Sequence, residues 1–284
     1  MNQMESNICA QEVAYYQKVA PMLLPYLTNR RLTLARFPKT DYYYLHQRST
    51  LPDAVLELMP TYPHPHYTEN PPIICPNLTI LEALVNLGRI GFMPDAAKLE
   101  HPSQPDWISW QLFGGEQTTT DQLFAIAESL TDYLSNKTGE IPYIKLSPLN
   151  GLDIALRNSH QTRYDESAHY ARQIAETLAQ KYAKRLHIIQ TPENISQHKI
   201  GIYTGCNKPG HGFFAPYSLT GNNHSNPKIP QPSDKLFCSL PITLDELSNP
   251  EAFDEMAWPL DEILERLEKR LAVHNDLWQN LLSE

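Results

Sequence analysis

The chain has 284 residues, 41% of them hydrophobic, which is long enough for one large domain or two small ones. Its net charge of −9 argues against a protein that coats nucleic acid electrostatically, although a basic groove remains compatible with it. The sequence has no stretch of roughly 20 apolar residues, no export signal and no C-x-x-C pair among its four cysteines, so it predicts a cytoplasmic protein without membrane contact or a structural zinc site.

Apolar periodicity predicts helices and strands along the whole chain. Helices are expected at residues 11–26, 78–87, about 120–136, 164–185 and 260–282. Strands are expected at residues 31–37, 106–113, 142–147, 151–157 and 187–191. Segments 199–205 and 213–219 are predicted to pair as a hairpin around the turn NKPGHG. Residues 38–77 are predicted to be loop with at most one short element, and residues 222–234 are predicted to be loop. Strands mixed with helices in this order indicate an α+β or mixed α/β fold rather than a doubly wound parallel sheet.

The negative charge is concentrated at the C-terminal end. From Pro241 to Glu284 the sequence has 11 acidic and 3 basic residues, whereas the rest of the chain is nearly neutral. We therefore expect residues 243–284 to form an acidic helical region whose apolar stripe docks on the body. In the alternative, Leu277, Trp278 and Leu281 extend that stripe past the body and offer a surface to a partner.

Several segments in a fixed order carry a resemblance to a known family. They are EVAYYQKVAPMLLPYL with NRRLTLARFP, then LEALVNLGRIGFMP, LEHPSQPDWISWQLF, YIKLSPLNGLDIAL, FFAPYSL and PITLDEL. Together they resemble the polymerase domain of bacterial DNA ligase D, which belongs to the archaeo-eukaryotic primase superfamily. The resemblance implies a single primase-polymerase domain over residues 1–284, with a central, mainly antiparallel sheet flanked by helices and two sublobes around a cleft.

The resemblance also implies a template-dependent nucleotidyltransferase that extends DNA ends during break repair by end joining. This chemistry needs two divalent ions held by carboxylates, which family members supply as a D-x-D pair on one strand and a third aspartate on a later strand. The matching positions here are Trp110, Leu112 and Tyr203, none of which offers a charged oxygen. Registers shifted by one residue bring in Ser109, Gln111, Ile202 and Thr204, which are also uncharged.

The positions that contact the triphosphate in the family are replaced as well. In the segment that matches S-G-G-K-G-L-H, Ser147 is kept, but the lysine is Asn150 and the histidine is Asp153. A family histidine matches Met93, and a family arginine matches Thr220. We therefore expect no catalytic residue, metal or cofactor in a degenerate nucleotide cleft. That cleft is expected where five positions meet: Met93, Trp110, Ser147, Asp153 and Tyr203.

Three residues are candidates for contact with nucleic acid, and two of them match family positions. Tyr43 and Tyr44 match adjacent aromatic residues that stack on bases, and Arg36 is placed to contact a phosphate backbone. A tyrosine cluster packed on the domain explains the same residues and is the interpretation that the acidic charge balance favours. Any contact with DNA is therefore expected to be weak.

The sequence thus predicts a catalytically degenerate relative with an accessory or binding role in nucleic-acid metabolism or end joining, acting on a repair protein or a DNA end. Its oligomeric state is left open. One alternative is an active nucleotidyltransferase with a rebuilt Mg or Mn site, in which Asp153 acts with Glu116 and Asp121. Another is a small-molecule binder that uses the old nucleotide cleft.

Overall fold

The computed structural model describes residues 3–36, 43–62, 65–88, 90–147, 151–220, 236–253, 257–271 and 278–282. Its helices are α1 (Gln3–Leu27), α2 (Asp53–Leu58), α3 (Leu78–Val85), α4 (Thr120–Thr138), α5 (Tyr164–Lys181), α6 (Leu244–Leu247), α7 (Leu260–Leu271) and α8 (Gln279–Leu282). Its strands are β1 (Arg30–Arg36), β2 (Tyr43–Leu45), β3 (Ile90–Lys98), β4 (Trp107–Phe113), β5 (Tyr143–Ser147), β6 (Gly151–Arg157), β7 (Leu186–Ile188), β8 (Ile200–Tyr203), β9 (Leu219–Thr220), β10 (Leu236–Cys238), β11 (Pro241–Ile242) and β12 (Ala257–Trp258).

The strands form three sheets within the described residues. The largest has the strand order β11-β5-β6-β4-β8-β7, and its pairs are antiparallel except for the parallel pair β7–β8. The other two have the orders β2-β1-β3 and β12-β10-β9 and are antiparallel. The predicted α+β class with a mainly antiparallel central sheet is confirmed.

Both faces of the largest sheet are covered. Helices α4 and α5 pack on one face, against the side chains that β4 directs to that side. The other face receives the segment 206–217, which is held along β3 by a hydrogen bond from the Ala215 amide to the Phe92 carbonyl oxygen at 2.8 Å. Buried apolar side chains of all these elements form a continuous core. Because both faces are buried, the polar side chains of β4, β5 and β6 must find partners inside the protein.

Local sequence signals fix the ends of α4. The Thr119 hydroxyl accepts a hydrogen bond from the Gln122 amide at 3.2 Å, and the Gln122 side chain accepts one from the Thr119 amide. This reciprocal arrangement satisfies two amides that the first helical turn leaves free. Gly139 ends the helix with a φ of 74°, which glycine adopts without steric cost. The predicted start of this helix at a threonine cap is confirmed.

Two predictions of local structure are wrong. The segment 90–98 was not predicted as a strand, because Pro94 and Asp95 interrupt its apolar pattern, yet it forms β3 and pairs with β1. The predicted hairpin of 199–205 with 213–219 does not form: β8 pairs with β4 and β7, whereas β9 pairs with β10. The turn in NKPGHG does form, with a hydrogen bond from the His211 amide to the Lys208 carbonyl oxygen at 3.1 Å, but the flanking strands pair with distant partners instead of each other.

The C-terminal helices pack on the body. Ile263 and Leu267 of α7 are buried, as the predicted apolar stripe requires, and Glu268 is exposed and paired with Lys18 of α1. Trp278 and Leu281 are only 1% and 2% exposed, so the prediction that they offer a surface to a partner is wrong. Leu277 and the loop 222–234 lie outside the described residues. No helix in the described part of the chain is long and apolar enough to cross a membrane.

Candidate functional site

Four residues form a row across one face of the largest sheet. The strand register places Tyr203 opposite Gln111, Gln111 opposite Asp153, and Asp153 opposite Lys145. Residues that are directly opposed in antiparallel strands point to the same face, so these four side chains are neighbours. We call them the cross-strand row. It contains two of the residues that the sequence assigned to the nucleotide cleft, Asp153 and Tyr203.

The charged members of the row form an ion pair inside the protein. Lys145 Nζ contacts Asp153 Oδ2, and both side chains are 0% exposed. The other carboxylate oxygen, Oδ1, accepts a hydrogen bond from Gln111 Nε2 at 2.7 Å. Burial lowers the pKa of Lys145, and the charge of Asp153 opposes that shift. The pair compensates two charges that the interior would otherwise not tolerate.

Aromatic rings cover the ammonium group. Lys145 Nζ lies 4.6 Å from the ring centroid of Phe213 and 5.8 Å from that of Trp278, at distances typical of cation–π contacts. The Phe213 and Trp278 rings meet edge to face at 5.7 Å, and Trp107 lies 5.8 Å from Phe213. We call Trp107, Phe213 and Trp278 the aromatic cap. The cap and the sheet together exclude solvent from the ion pair.

Trp110 and Leu112 do not belong to this site. The register pairs Trp110 with Ile154 on the opposite face of the sheet, where its indole Nε1 donates to the Ala171 carbonyl oxygen of α5 at 2.9 Å. Leu112 is fully buried on the same face. The prediction that Trp110 meets Asp153 and Tyr203 at one cleft is therefore wrong, because alternate residues of a strand point to opposite sides.

Of the remaining cleft positions, Ser147 shares the face of the cross-strand row, because it stands two residues after Lys145 on β5, whereas Met93 and Thr220 lie on strands of the other two sheets. Met93 is half-buried on β3, opposite Thr33. Ser147 is buried at the end of β5 and lies opposite Gly151. A side chain at position 151 would meet the Leu112 carbonyl oxygen and the Phe113 ring. The list is completed by Thr220, which is buried on β9 opposite Phe237, and Asn150, which lies outside the described residues. Glu116 and Asp121 are exposed, whereas Asp153 is buried with Lys145.

Asn207 fastens the loop after β8 to the same face of β4. Its Oδ1 accepts from the Ser109 amide at 2.8 Å, and its Nδ2 donates to the Ser109 carbonyl oxygen at 2.7 Å. Cys206 beside it contacts the Ser109 hydroxyl at 3.2 Å, and burial raises the pKa of this thiol to about 12. The thiol is therefore held in its protonated, unreactive form. This clamp was not predicted, since nothing in the spacing of Ser109 and Asn207 indicates it.

The row does not fit the divalent ions that the family resemblance implies. Tyr203 and Gln111 carry no charge, and both carboxylate oxygens of Asp153 are engaged, one of them by a cation of the chain itself. Among the described residues there is no group of three or more His, Cys, Asp or Glu side chains able to hold a metal ion. Hard divalent cations require several oxygen ligands with net negative charge.

The predicted nucleic-acid contacts lie on the sheet formed by β1 and β2. Arg36 donates to the Leu87 carbonyl oxygen at 2.8 Å, which ties its guanidinium to the body. Tyr44 is 44% exposed, and its ring stacks on His46 with a centroid distance of 6.0 Å. Burial, and then the nearby charges of His211 and Arg31, lower the pKa of His46. The side chain of Tyr43 lies outside the described residues.

Comparison with known proteins identifies the fold and the family. The polymerase domain from Mycobacterium tuberculosis ligase D, solved in complex with DNA, superposes with a TM-score of 0.73 at 19% identity, covering 98% of this chain and 92% of that chain. This likeness confirms the predicted primase-polymerase fold. No curated protein sequence matches the chain. The family model described as LigD, primase-polymerase domain, matches residues 10–278. The chain therefore belongs to the LigD primase-polymerase domain family.

Proposed function

We propose that the chain is a non-catalytic member of this family that serves DNA end joining as an accessory or binding protein. The buried Lys145–Asp153 ion pair carries the proposal. It lies in the row that also contains Tyr203, the position where the family resemblance implies an aspartate. A nucleotidyltransferase needs carboxylates that are open to metal and nucleotide, whereas this carboxylate is neutralised by a lysine and closed off by aromatic rings.

The proposed nucleic-acid contact is the stacked pair of Tyr44 and His46. An exposed aromatic face stacks on any unpaired base, and such stacking contributes about 1–3 kcal/mol per base. The guanidinium of Arg31, which pairs with Asp95 at 2.8 Å, lies near enough to His46 to add to the effect of burial in lowering its pKa, so one cation lies close to the stacked rings. The DNA bound to the structurally similar polymerase domain supports a DNA end as the partner. The charge of −9 favours a weak contact over a tight one.

Primer extension tests the loss of catalysis. The full chain is incubated with a primed template and nucleotides in Mg²⁺ and separately in Mn²⁺, and Mn²⁺ binding is measured by electron paramagnetic resonance. We expect no template-dependent incorporation and no bound Mn²⁺ at micromolar protein. Incorporation with either ion would overturn the proposal in favour of an active enzyme with a rebuilt metal site.

Fluorescence anisotropy with a single-stranded overhang tests the binding role. The Tyr44→Leu variant removes the π face but keeps an apolar side chain, and we expect it to weaken binding about fivefold or more, whereas Tyr44→Trp should preserve it. Leu58→Ala is the control, since Leu58 is an exposed apolar residue on α2. Equal affinity of the wild type and Tyr44→Leu would rule out this surface as the contact.

A further inference from the structure

A cavity of about 260 Å³ opens beside the ends of β7 and β8, against the first half of α5. Helix α5 contributes Ala168, His169 and Arg172, and the loop after β8 contributes Thr204 and Lys208. None of the residues that line it is acidic. In a chain with a net charge of −9, a cavity bounded by basic and neutral groups alone is a selective environment for an anion. We call it the rim pocket.

The donors of the rim pocket are available to a ligand. Arg172 pairs through Nε with Glu176 at 2.9 Å, and in the described part of the chain no hydrogen bond engages its two terminal nitrogens. Lys208 and His169 are exposed and have no ion pair among the described residues. The side chains of Thr204 and Gln190 add neutral hydrogen-bonding groups to the wall. Lys208 and the two terminal nitrogens of Arg172 therefore line the same small volume, with the charge of Arg172 partly offset by Glu176.

The size and floor of the pocket limit what it can hold. Ile188 and Ile189 form an apolar floor, and Ile189 is anchored by packing on Gly201, where a side chain would clash. A volume of about 260 Å³ lies just below the range of roughly 300–1,000 Å³ that is usual for drug-sized ligands. The pocket therefore suits a compact molecule with one charged end and one small, less polar part.

We propose that the rim pocket binds a small phosphate monoester. A phosphate monoester carries about −1.5 to −2 charges at pH 7, so it is attracted by the two cationic side chains, Arg172 and Lys208. It also offers three acceptor oxygens to their guanidinium and ammonium groups. Arg172 and Lys208 bind the phosphate, and the apolar floor takes the organic part. Tyr203 of the cross-strand row also lines the rim pocket, but the buried Lys145–Asp153 ion pair does not, and the proposal does not depend on the proposed loss of catalysis.

Isothermal titration of the full chain tests the site with three probes: ribose 5-phosphate, inorganic phosphate and ribose. We expect saturable binding of ribose 5-phosphate, weaker binding of inorganic phosphate and no detectable binding of ribose. Arg172→Gln and Lys208→Gln should each weaken the binding of ribose 5-phosphate by at least about tenfold, because each removes a charge-assisted hydrogen bond. Lys184→Gln removes one charge from an exposed lysine beyond the far end of α5 and should change the affinity less than twofold.

A steric variant separates binding in the pocket from attraction by surface charge. Ala168→Leu keeps helix propensity and every charge but fills the cavity, so it should abolish the binding of ribose 5-phosphate. The proposal is overturned if the wild type shows no saturable binding, if Lys184→Gln weakens binding as much as Lys208→Gln, or if Ala168→Leu has no effect. A 5′-phosphorylated oligonucleotide that binds through Arg172 while ribose 5-phosphate does not would overturn the small ligand in favour of a polymer end.

Discussion

Removing one partner of the Lys145–Asp153 ion pair should destabilise the protein strongly. The Lys145→Met variant keeps most of the volume of the lysine stem but leaves the Asp153 carboxylate buried, with Gln111 as its remaining partner. Breaking a buried pair in this way costs about 3–5 kcal/mol. At about 2–4 °C per kcal/mol for a chain of this size class, the thermal midpoint should fall by roughly 10 °C.

Replacing both partners should recover most of this loss. In Lys145→Met/Asp153→Asn the buried charges are gone, and the asparagine oxygen still accepts the hydrogen bond from Gln111. Buried pairs that are replaced by neutral groups of similar volume are often no less stable than the original, so we expect the double variant within about 1 kcal/mol of the wild type. With the Asp153→Asn single variant, the wild type and these two variants complete a double-mutant cycle, whose interaction free energy measures the coupling of the two residues.

Urea denaturation followed by circular dichroism gives the four free energies of the cycle. Lys269→Met is the matched control, because Lys269 pairs with Glu265 at the surface of α7 and its loss should leave the midpoint unchanged. If Lys145→Met lowers the free energy of unfolding by less than about 1 kcal/mol, the description of Asp153 as a buried charge compensated by Lys145 is refuted. The same holds if the double variant is as unstable as the single variant, because the loss would then come from packing.

Two further predictions concern the C-terminal end and alkaline pH. A chain that ends at residue 271 should fail to fold at 37 °C, because it loses two buried side chains, Trp278 and Leu281. Their loss costs about 5–10 kcal/mol of a total stability of about 5–15 kcal/mol. A cooperative thermal transition above 45 °C in this truncated chain would contradict that expectation. Burial raises the pKa of Cys75 and Cys206 from 9.0 to about 12, so these thiols keep their protons in the folded chain after the unfolded chain has lost them. The free energy of unfolding should therefore fall between about pH 9 and 12. The lowered pKa of Lys145 opposes this fall up to its ordinary value of 10.5, so the decline should be steepest above that pH. The Cys75→Ala/Cys206→Ala variant should show a shallower decline in thermal scans across this range.

Elements with strong local periodicity could be predicted from the sequence, and elements that depend on distant partners could not. The start of α4 follows from Thr119 and Gln122, which bond to each other within one turn. Strand β3 has no such local signal, since Pro94 interrupts its pattern and its pairing with β1 spans about 60 residues. The turn NKPGHG has a strong local signal but no hairpin, because the flanking segments pair with β4 and β10 instead.

At the site, the sequence indicated which family positions carry a different residue, but it could not predict which side chains meet. Asp153 and Tyr203 were assigned to one cleft, and they do lie on one face. Trp110 was assigned to the same cleft, but it precedes Gln111 by one residue on β4. Successive residues of a strand point to opposite faces of the sheet, so Trp110 lies on the other face. Lys145 was not singled out at all, because its partnership with Asp153 depends on the pairing of β5 with β6.

The buried cross-strand row and the open rim pocket differ in how accessible their charged groups are to a ligand. A carboxylate that binds metal and nucleotide has to be accessible, yet Asp153 is fully buried beneath rings contributed by Phe213 and Trp278, which are distant in sequence. Opening that cap would expose apolar surface and an ion pair together, and the burial of both opposes it. Arg172 and Lys208, by contrast, already face solvent at the rim. This contrast supports the proposals that place ligand binding at the rim pocket and on the exposed Tyr44 surface, and a stabilising role for the cross-strand row in the core.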